Sequence, residues 1–239
     1  MSPRILKYAT CLSCLVALAL LVFNVYYFFI RREVGFSFYI DHVFSPTKDK
    51  VLMSPEYQDQ VDQYEYFNQN LKVAVDVVFI GDSLTKRFNV QEYFPRHFVL
   101  NRGICSDTTV GLLKRLDRNL NNLKINKLFL LIGYNDLQYR GNAEVVSNIT
   151  LILERIRAKK IYLQTLLPVD AKKGDINLRI KEMNDNLRKL CSYKGIEYID
   201  LYGHLKDEKG GLSEKYLIDG IHLNGAGYRL WKELVEGKL

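Results

Sequence analysis

The chain has 239 residues, 48% of them hydrophobic, with five prolines and four cysteines. That is enough to bury one good core, and it argues against both long disorder and a disulfide scaffold. The formal charge is +7, but residues 1–34 account for part of it and the remainder carries only +4. With so weak a field and no basic stripe interleaved with aromatics, nucleic acid is not an expected partner.

The first element in chain order is Tyr8 to Ile30, 23 residues without a charge, flanked by Arg4 and Lys7 before and Arg31 and Arg32 after. As a helix it would reach ~34 Å, enough to cross a bilayer. It ends in Tyr26-Tyr27-Phe28-Phe29-Ile30, which suits an interfacial aromatic belt better than the small residues that follow a signal-peptide core. Residues 1–32 are therefore expected to form an uncleaved anchor that meets the membrane through residues 8–30. Cys11 and Cys14 fall inside it. Without a second pair or a nearby His they suit small residues of a membrane helix better than a zinc site. Only a short basic tail precedes the span, so the N-terminus is expected inside and the remaining domain on the extracytoplasmic side. Residues 33–54 have no clear period and read as a tether or arm.

Pro55 can open a helix at its first position, and Tyr57, Val61, Tyr64 and Phe67 recur three or four apart as far as Asn70. From Val73 onward, strands and helices alternate. The β-runs are Val73–Ile80, Phe98–Asn101, Lys127–Ile132, Lys160–Leu167 and Ile196–Leu201. Helical spacing joins Val145, Ile149, Ile152 and Ile156, then Ile176, Ile180, Met183, Leu187 and Leu190, and finally Leu230, Trp231, Leu234 and Val235. Five β-runs alternating with helices predict a three-layer α/β domain with a parallel sheet over residues 55–239.

Three successive strands end in chemistry-bearing residues: Gly81-Asp82-Ser83, Asn101-Arg102-Gly103 and Gly133-Tyr134-Asn135-Asp136. Parallel strands would bring these ends to one edge of the sheet, where ligands of open α/β folds bind. The loop before the last helix holds Asp219-Gly220-Ile221-His222. A serine hydroxyl is a weak nucleophile that needs a base, and His222 is the candidate. Asp219 could hold the other ring nitrogen from three residues away. Backbone N–H groups of Ser83 and Gly103, with the side-chain amide of Asn135, could receive an oxyanion.

At these four blocks the chain resembles the SGNH (GDSL-type) serine hydrolases. Asn101-Arg102-Gly103-Ile104, Asp107-Thr108-Thr109 and Leu113-Lys114-Arg115-Leu116 are similar to the branch near the platelet-activating-factor acetylhydrolase catalytic subunits. The resemblance covers roughly residues 55–239. It implies a flavodoxin-like sheet of five parallel strands and ester hydrolysis with neither cofactor nor metal. It also implies Ser83, Asp219 and His222 as the triad and Gly103 and Asn135 as oxyanion donors. A short-chain, acetyl ester of a small molecule or glycan is the expected substrate. Lipase, thioesterase or acyltransferase chemistry, or a non-catalytic glycan- or lipid-binding module, are the alternatives on the same fold.

Other residues have plainer expected roles. Asp107 is expected to cap the helix that starts near Thr108, and Asp136 to bond its own turn. Cys105 reads as a half-buried inert thiol, and His42, His97 and His204 as surface or packing residues. Lys86 and Arg87 belong to a solvated face or favour an anionic substrate. Asn148-Ile149-Thr150 matches a glycosylation acceptor but falls in a predicted helix.

Overall fold

The computed structural model describes residues 54–239. The expected anchor and nearly all of the expected tether lie outside them, as does His42. Among the described residues, no helix is long and apolar enough to cross a membrane.

Helix α1 (Pro55–Asn70) starts with proline in its first turn, and the Ser54 hydroxyl accepts the N–H of Tyr57 at 3.2 Å. Strand β1 (Val75–Gly81) leads into the short helices α2 (Ser83–Lys86) and α3 (Val90–Tyr93). Then come β2 (Val99–Gly103), α4 (Thr109–Asn119), β3 (Ile125–Leu131), a 3-10 turn at Asn135–Gln138, and α5 (Asn142–Arg155). The remaining elements are β4 (Ala158–Gln164), α6 (Ile176–Lys194), β5 (Glu197–Ile199), α7 (Tyr202–Leu205) and α8 (Gly225–Glu236).

The five strands form one parallel sheet in the order β2-β1-β3-β4-β5. This is the flavodoxin-like order, whose switch point lies between β1 and β3. Alternation along β1 divides the core. Val78 and Ile80 join Leu116 of α4, Ile149 of α5 and Met183 of α6 on one face. Val77 and Phe79 join Phe88 and Trp231 on the other. Phe79, Phe129 and Tyr162 stack across β1, β3 and β4 at centroid distances of 4.7 and 4.6 Å. Both faces are covered, so the strands read as near-continuous apolar runs.

Two strands are shorter than their apolar runs suggest. The fourth leaves the sheet at Thr165, whose hydroxyl accepts the N–H groups of Leu201 at 2.9 Å and Tyr202 at 2.8 Å. The fifth pairs over three residues only. Leu166, Leu167 and Leu201 are still buried, so hydrophobicity marks the core here and not the ladder.

Candidate active site

Gly81 closes β1 where a Cβ would collide with the Leu131 carbonyl of β3. Asp82 then caps α2, its Oδ1 accepting the Leu84 N–H at 3.0 Å, and Ser83 is the first helical residue. The nucleophile candidate thus stands at the switch point of the sheet. The loop ahead of α8 delivers its partners. Ser83 Oγ lies 2.9 Å from His222 Nε2, and His222 Nδ1 lies 2.7 Å from Asp219 Oδ2. Asp219 Oδ1 also accepts the N–H groups of His222 at 2.9 Å and Ile221 at 3.2 Å. Partial burial pushes the Asp219 carboxyl up, but the hydrogen bonds from His222 and Ile221 outweigh it and hold the group well below the usual range. With Nδ1 protonated toward this carboxylate, Nε2 can accept the Ser83 proton.

The expected oxyanion donors fare differently. Asn135, half-buried in the 3-10 turn, donates one Nδ2 hydrogen to the Asp107 carbonyl at 2.9 Å, and its amide keeps a second. Gly103 does not offer its N–H, which donates to Asn101 Oδ1 at 2.8 Å. Its lack of a side chain serves another purpose, because a Cβ there would run into the backbone of Thr85 and Lys86. Gly103 lets α2 lie against β2.

A residue that no motif singled out stands three positions on. Ser106 is the one non-glycine with positive φ among the described residues, at 59°, and it is exposed. Among the described residues neither its N–H nor that of Ser83 has an internal acceptor. Ser106 directly precedes Asp107, whose carbonyl takes the Asn135 amide, so this N–H and that amide belong to one corner. The signal that would have found it is conformational: a serine where the backbone favours glycine.

The acids nearby are braces: Asp107 keeps its expected place at the helix start, accepting the Thr108 N–H at 2.9 Å, while Asp136 reaches beyond its own turn. Thr108 caps α4, its hydroxyl accepting the Gly111 N–H at 3.2 Å. Asp107 is fully buried and takes the Tyr57 hydroxyl and Arg115 Nε, each at 2.8 Å. Arg115 also donates to the carbonyls of Gly81 and Arg102, tying the ends of β1 and β2 together. Asp136 accepts Thr109 N–H at 2.8 Å and Thr109 Oγ1 at 2.6 Å, with Arg140 3.4 Å away. Burial raises all three acids of this floor, Asp82 to about 7 and Asp136 to about 6, while Asp107 is raised against the pull of Arg115. Asp82 Oδ2 has no partner.

Cys105 is exposed and Cys191 buried, and both are free thiols. Asn148 is buried in α5 and donates to Thr109 Oγ1 at 2.8 Å, so it is no accessible sugar acceptor. His97 and His204 are exposed and outside the site. Arg87, half-exposed, reaches Asp219 Oδ2 at 3.5 Å.

Residues 79–230 match the model of the GDSL-like Lipase/Acylhydrolase family. Among solved structures, one from Streptococcus pneumonia, described as a platelet activating factor, is 29% identical with a TM-score of 0.71. The match covers 77% of this chain and 92% of that one. A GDSL-like lipase from Bacteroides thetaiotaomicron is 22% identical, with a TM-score of 0.68 over 74% and 96% of the two chains. An acetyl-xylooligosaccharide esterase from Geobacillus Stearmophilus shares the fold at 16% identity, with a TM-score of 0.58 over 70% and 96%. Among curated proteins, the N-acylneuraminate cytidylyltransferase of Escherichia coli O18:K1:H7 is 35% identical over 77 residues. That segment is 32% of this chain and only 18% of that relative's length.

Proposed function

We propose that this chain, which belongs to the GDSL-like lipase/acylhydrolase family, is a serine esterase that removes short acyl groups, acetyl above all, through an acyl-serine intermediate. The observation that carries the reading is the unbroken relay from Ser83 to His222 to Asp219, at 2.9 and 2.7 Å. Ser83 Oγ attacks the ester carbonyl while His222 Nε2 takes its proton, and Asp219 holds the imidazole in register. The N–H groups of Ser83 and Ser106 and the Asn135 amide receive the oxyanion, Ser106 standing where Gly103 was expected. His222 then returns its proton to the leaving oxygen, and a water activated by the same ring releases the acid. No step calls on a cofactor or metal.

A glycan ester is the substrate that the relatives' descriptions favour. One fold neighbour acts on acetylated xylo-oligosaccharides, and a curated relative is named for an acylated sugar acid. The charge-free run Tyr8–Ile30 supports an anchor, and the short basic tail ahead of it supports an orientation that leaves residues 55–239 outside the cytoplasm, where such glycans are met.

A fluorophosphonate probe and an ester series test this on the full-length chain. Labelling at Ser83, its loss in Ser83→Ala, and faster turnover of acetyl than of long-chain esters are expected. Undiminished hydrolysis of p-nitrophenyl acetate by Ser83→Ala would sink the mechanism, and a long-chain preference would make the protein a lipase. Protease added to intact cells tests the topology, since a fully protected domain would place it inside.

A further inference from the structure

Between α1 and the edge strand β2 lies a cavity of about 420 Å³, on the far side of α2 from the Ser83 end of that helix. Two cations line it. Lys86, the last residue of α2, points its amine at Gln60 Oε1 and at the Tyr64 hydroxyl 3.3 Å away. Arg102 is only 4% exposed. Its guanidinium lies 4.7 Å from the centre of the Tyr64 ring and 5.2 Å from that of Phe67. Its hydrogen bonds go to neutral acceptors, Asn68 Oδ1 at 2.6 Å and the Asn101 carbonyl at 3.2 Å, and its Nε has no partner.

Among the described residues no carboxylate pairs with either cation, and none lines the cavity. A buried charge is normally matched by an opposite one. Burial lowers the Arg102 guanidinium to about 10, with Tyr64 pulling it back up and Arg115 pushing it further down. The rest of the lining carries no charge and includes the amides of Gln60, Gln63 and Gln91, the rings of Tyr64 and Phe67, and the aliphatic Leu100. Amides offer both donors and acceptors, as sugar hydroxyls require, and exposed rings offer a flat apolar face.

We propose that this cavity is a subsite for an acidic glycan, with a sugar carboxylate held by Lys86 in the positive field of Arg102 and the sugar ring against Tyr64 and Phe67. The inference rests on the esterase reading in one respect: it makes the glycan that bears the acyl group anionic. The two sites are close along the chain. Lys86 lies one helical turn from Ser83, and the Tyr64 hydroxyl donates to the Gly103 carbonyl at 2.8 Å.

Calorimetric titration of the full-length chain with trigalacturonate and with the neutral xylotriose tests the subsite. Trigalacturonate is expected to bind at least roughly tenfold more tightly than xylotriose and to weaken as salt rises. Lys86→Gln should weaken it by roughly tenfold, the loss of one charge-assisted contact. Gln91→Ala, at an exposed position that cannot upset the core, should weaken it by a smaller factor. Equal affinity for the two sugars, or an unchanged affinity in Lys86→Gln, would overturn the proposal. So would Lys86-dependent binding of inorganic phosphate without any of trigalacturonate, which would point to a phosphate headgroup. Ser83→Ala separates this inference from the esterase reading. If the variant loses hydrolysis but keeps trigalacturonate, both stand. If it keeps both, the mechanism fails and the subsite survives.

Discussion

Asn101 accepts the Gly103 N–H at 2.8 Å through Oδ1, and its Nδ2 donates to the carbonyls of Thr85 at 2.7 Å and Phe88 at 2.9 Å. One amide thus staples the end of β2 to the helix that begins with Ser83. Gly103 belongs to that staple, with the small size needed for close approach. Gly103→Ala would force a methyl against the backbone of α2. Overpacking of this kind costs about 1–3 kcal/mol or more, and the damage should appear as a lowered midpoint of thermal unfolding. A variant as stable as the parent would mean that α2 yields freely.

Ser106 and Asn135 should behave as opposites. Ser106→Gly keeps the N–H and relieves a left-handed serine, so stability should rise by about 1 kcal/mol with kcat nearly unchanged. Asn135→Ala removes a side-chain donor and should lower kcat/KM by roughly 100-fold, about 3 kcal/mol of transition-state stabilisation. Kinetics on p-nitrophenyl acetate, with unfolding curves for each variant, check both. Asn135→Ala retaining full activity would remove that amide from the oxyanion site.

Asp82 sets a pH dependence of stability. Its folded pKa, about 7, lies above the usual value because burial penalises its charge. The folded state therefore holds a proton that the unfolded chain has released. The stabilisation is complete below about pH 4 and is lost as pH rises toward 7, on the order of 4 kcal/mol at most. Asp136, raised to about 6, adds in the same direction. Asp219 runs the other way, favouring folding above the usual carboxylate range and losing that contribution in stronger acid. Unfolding temperature should therefore fall between roughly pH 4 and pH 7, and Asp82→Asn should flatten the slope. A slope identical to the parent's would show that Asp82 is not its source.

Arg115→Met tests the brace beneath the site. Removing it strands the fully buried Asp107 and frees two strand-end carbonyls. Loss of one partner of a buried pair costs about 3–5 kcal/mol. Asp107→Asn in the same background should recover part of this, since it removes the stranded charge. Denaturant unfolding of the single and double variants reads the coupling, and strictly additive losses would show that the two residues do not act together.

The layers of this fold are legible in the sequence because burial on both sides writes each strand as an apolar run and each helix as a stripe. Ser83, Asp219 and His222, which the structure joins by hydrogen bonds, are legible because each sits in a short block of residue types that suit such a relay, placed at a strand end or before the last helix. The segment from Asn101 to Asp107 is not. A motif can show that a backbone N–H lies hereabouts, but which residue presents it depends on side-chain bonds such as that of Asn101 and on a backbone angle at Ser106. The same holds for what Asp107 and Asp136 brace. Asp107 does take the Thr108 N–H beside it, but Tyr57 lies 50 residues from Asp107 and Thr109 lies 27 from Asp136, and local spacing carries no trace of those partners.

The relay joins residues 139 positions apart, and the loop carrying its base is held by the last helix. Tyr228 donates to the Leu84 carbonyl at 3.0 Å, and the Trp231 ring stacks on Phe88 at 4.9 Å, so α8 packs directly against the helix of Ser83. Ser83 is made with the first strand of the sheet and His222 139 residues later, so a chain that has formed only the early strands holds the serine without its candidate base. The pairing of the two waits on the docking of α8, which makes the relay a late product of folding and not a property of the sheet alone.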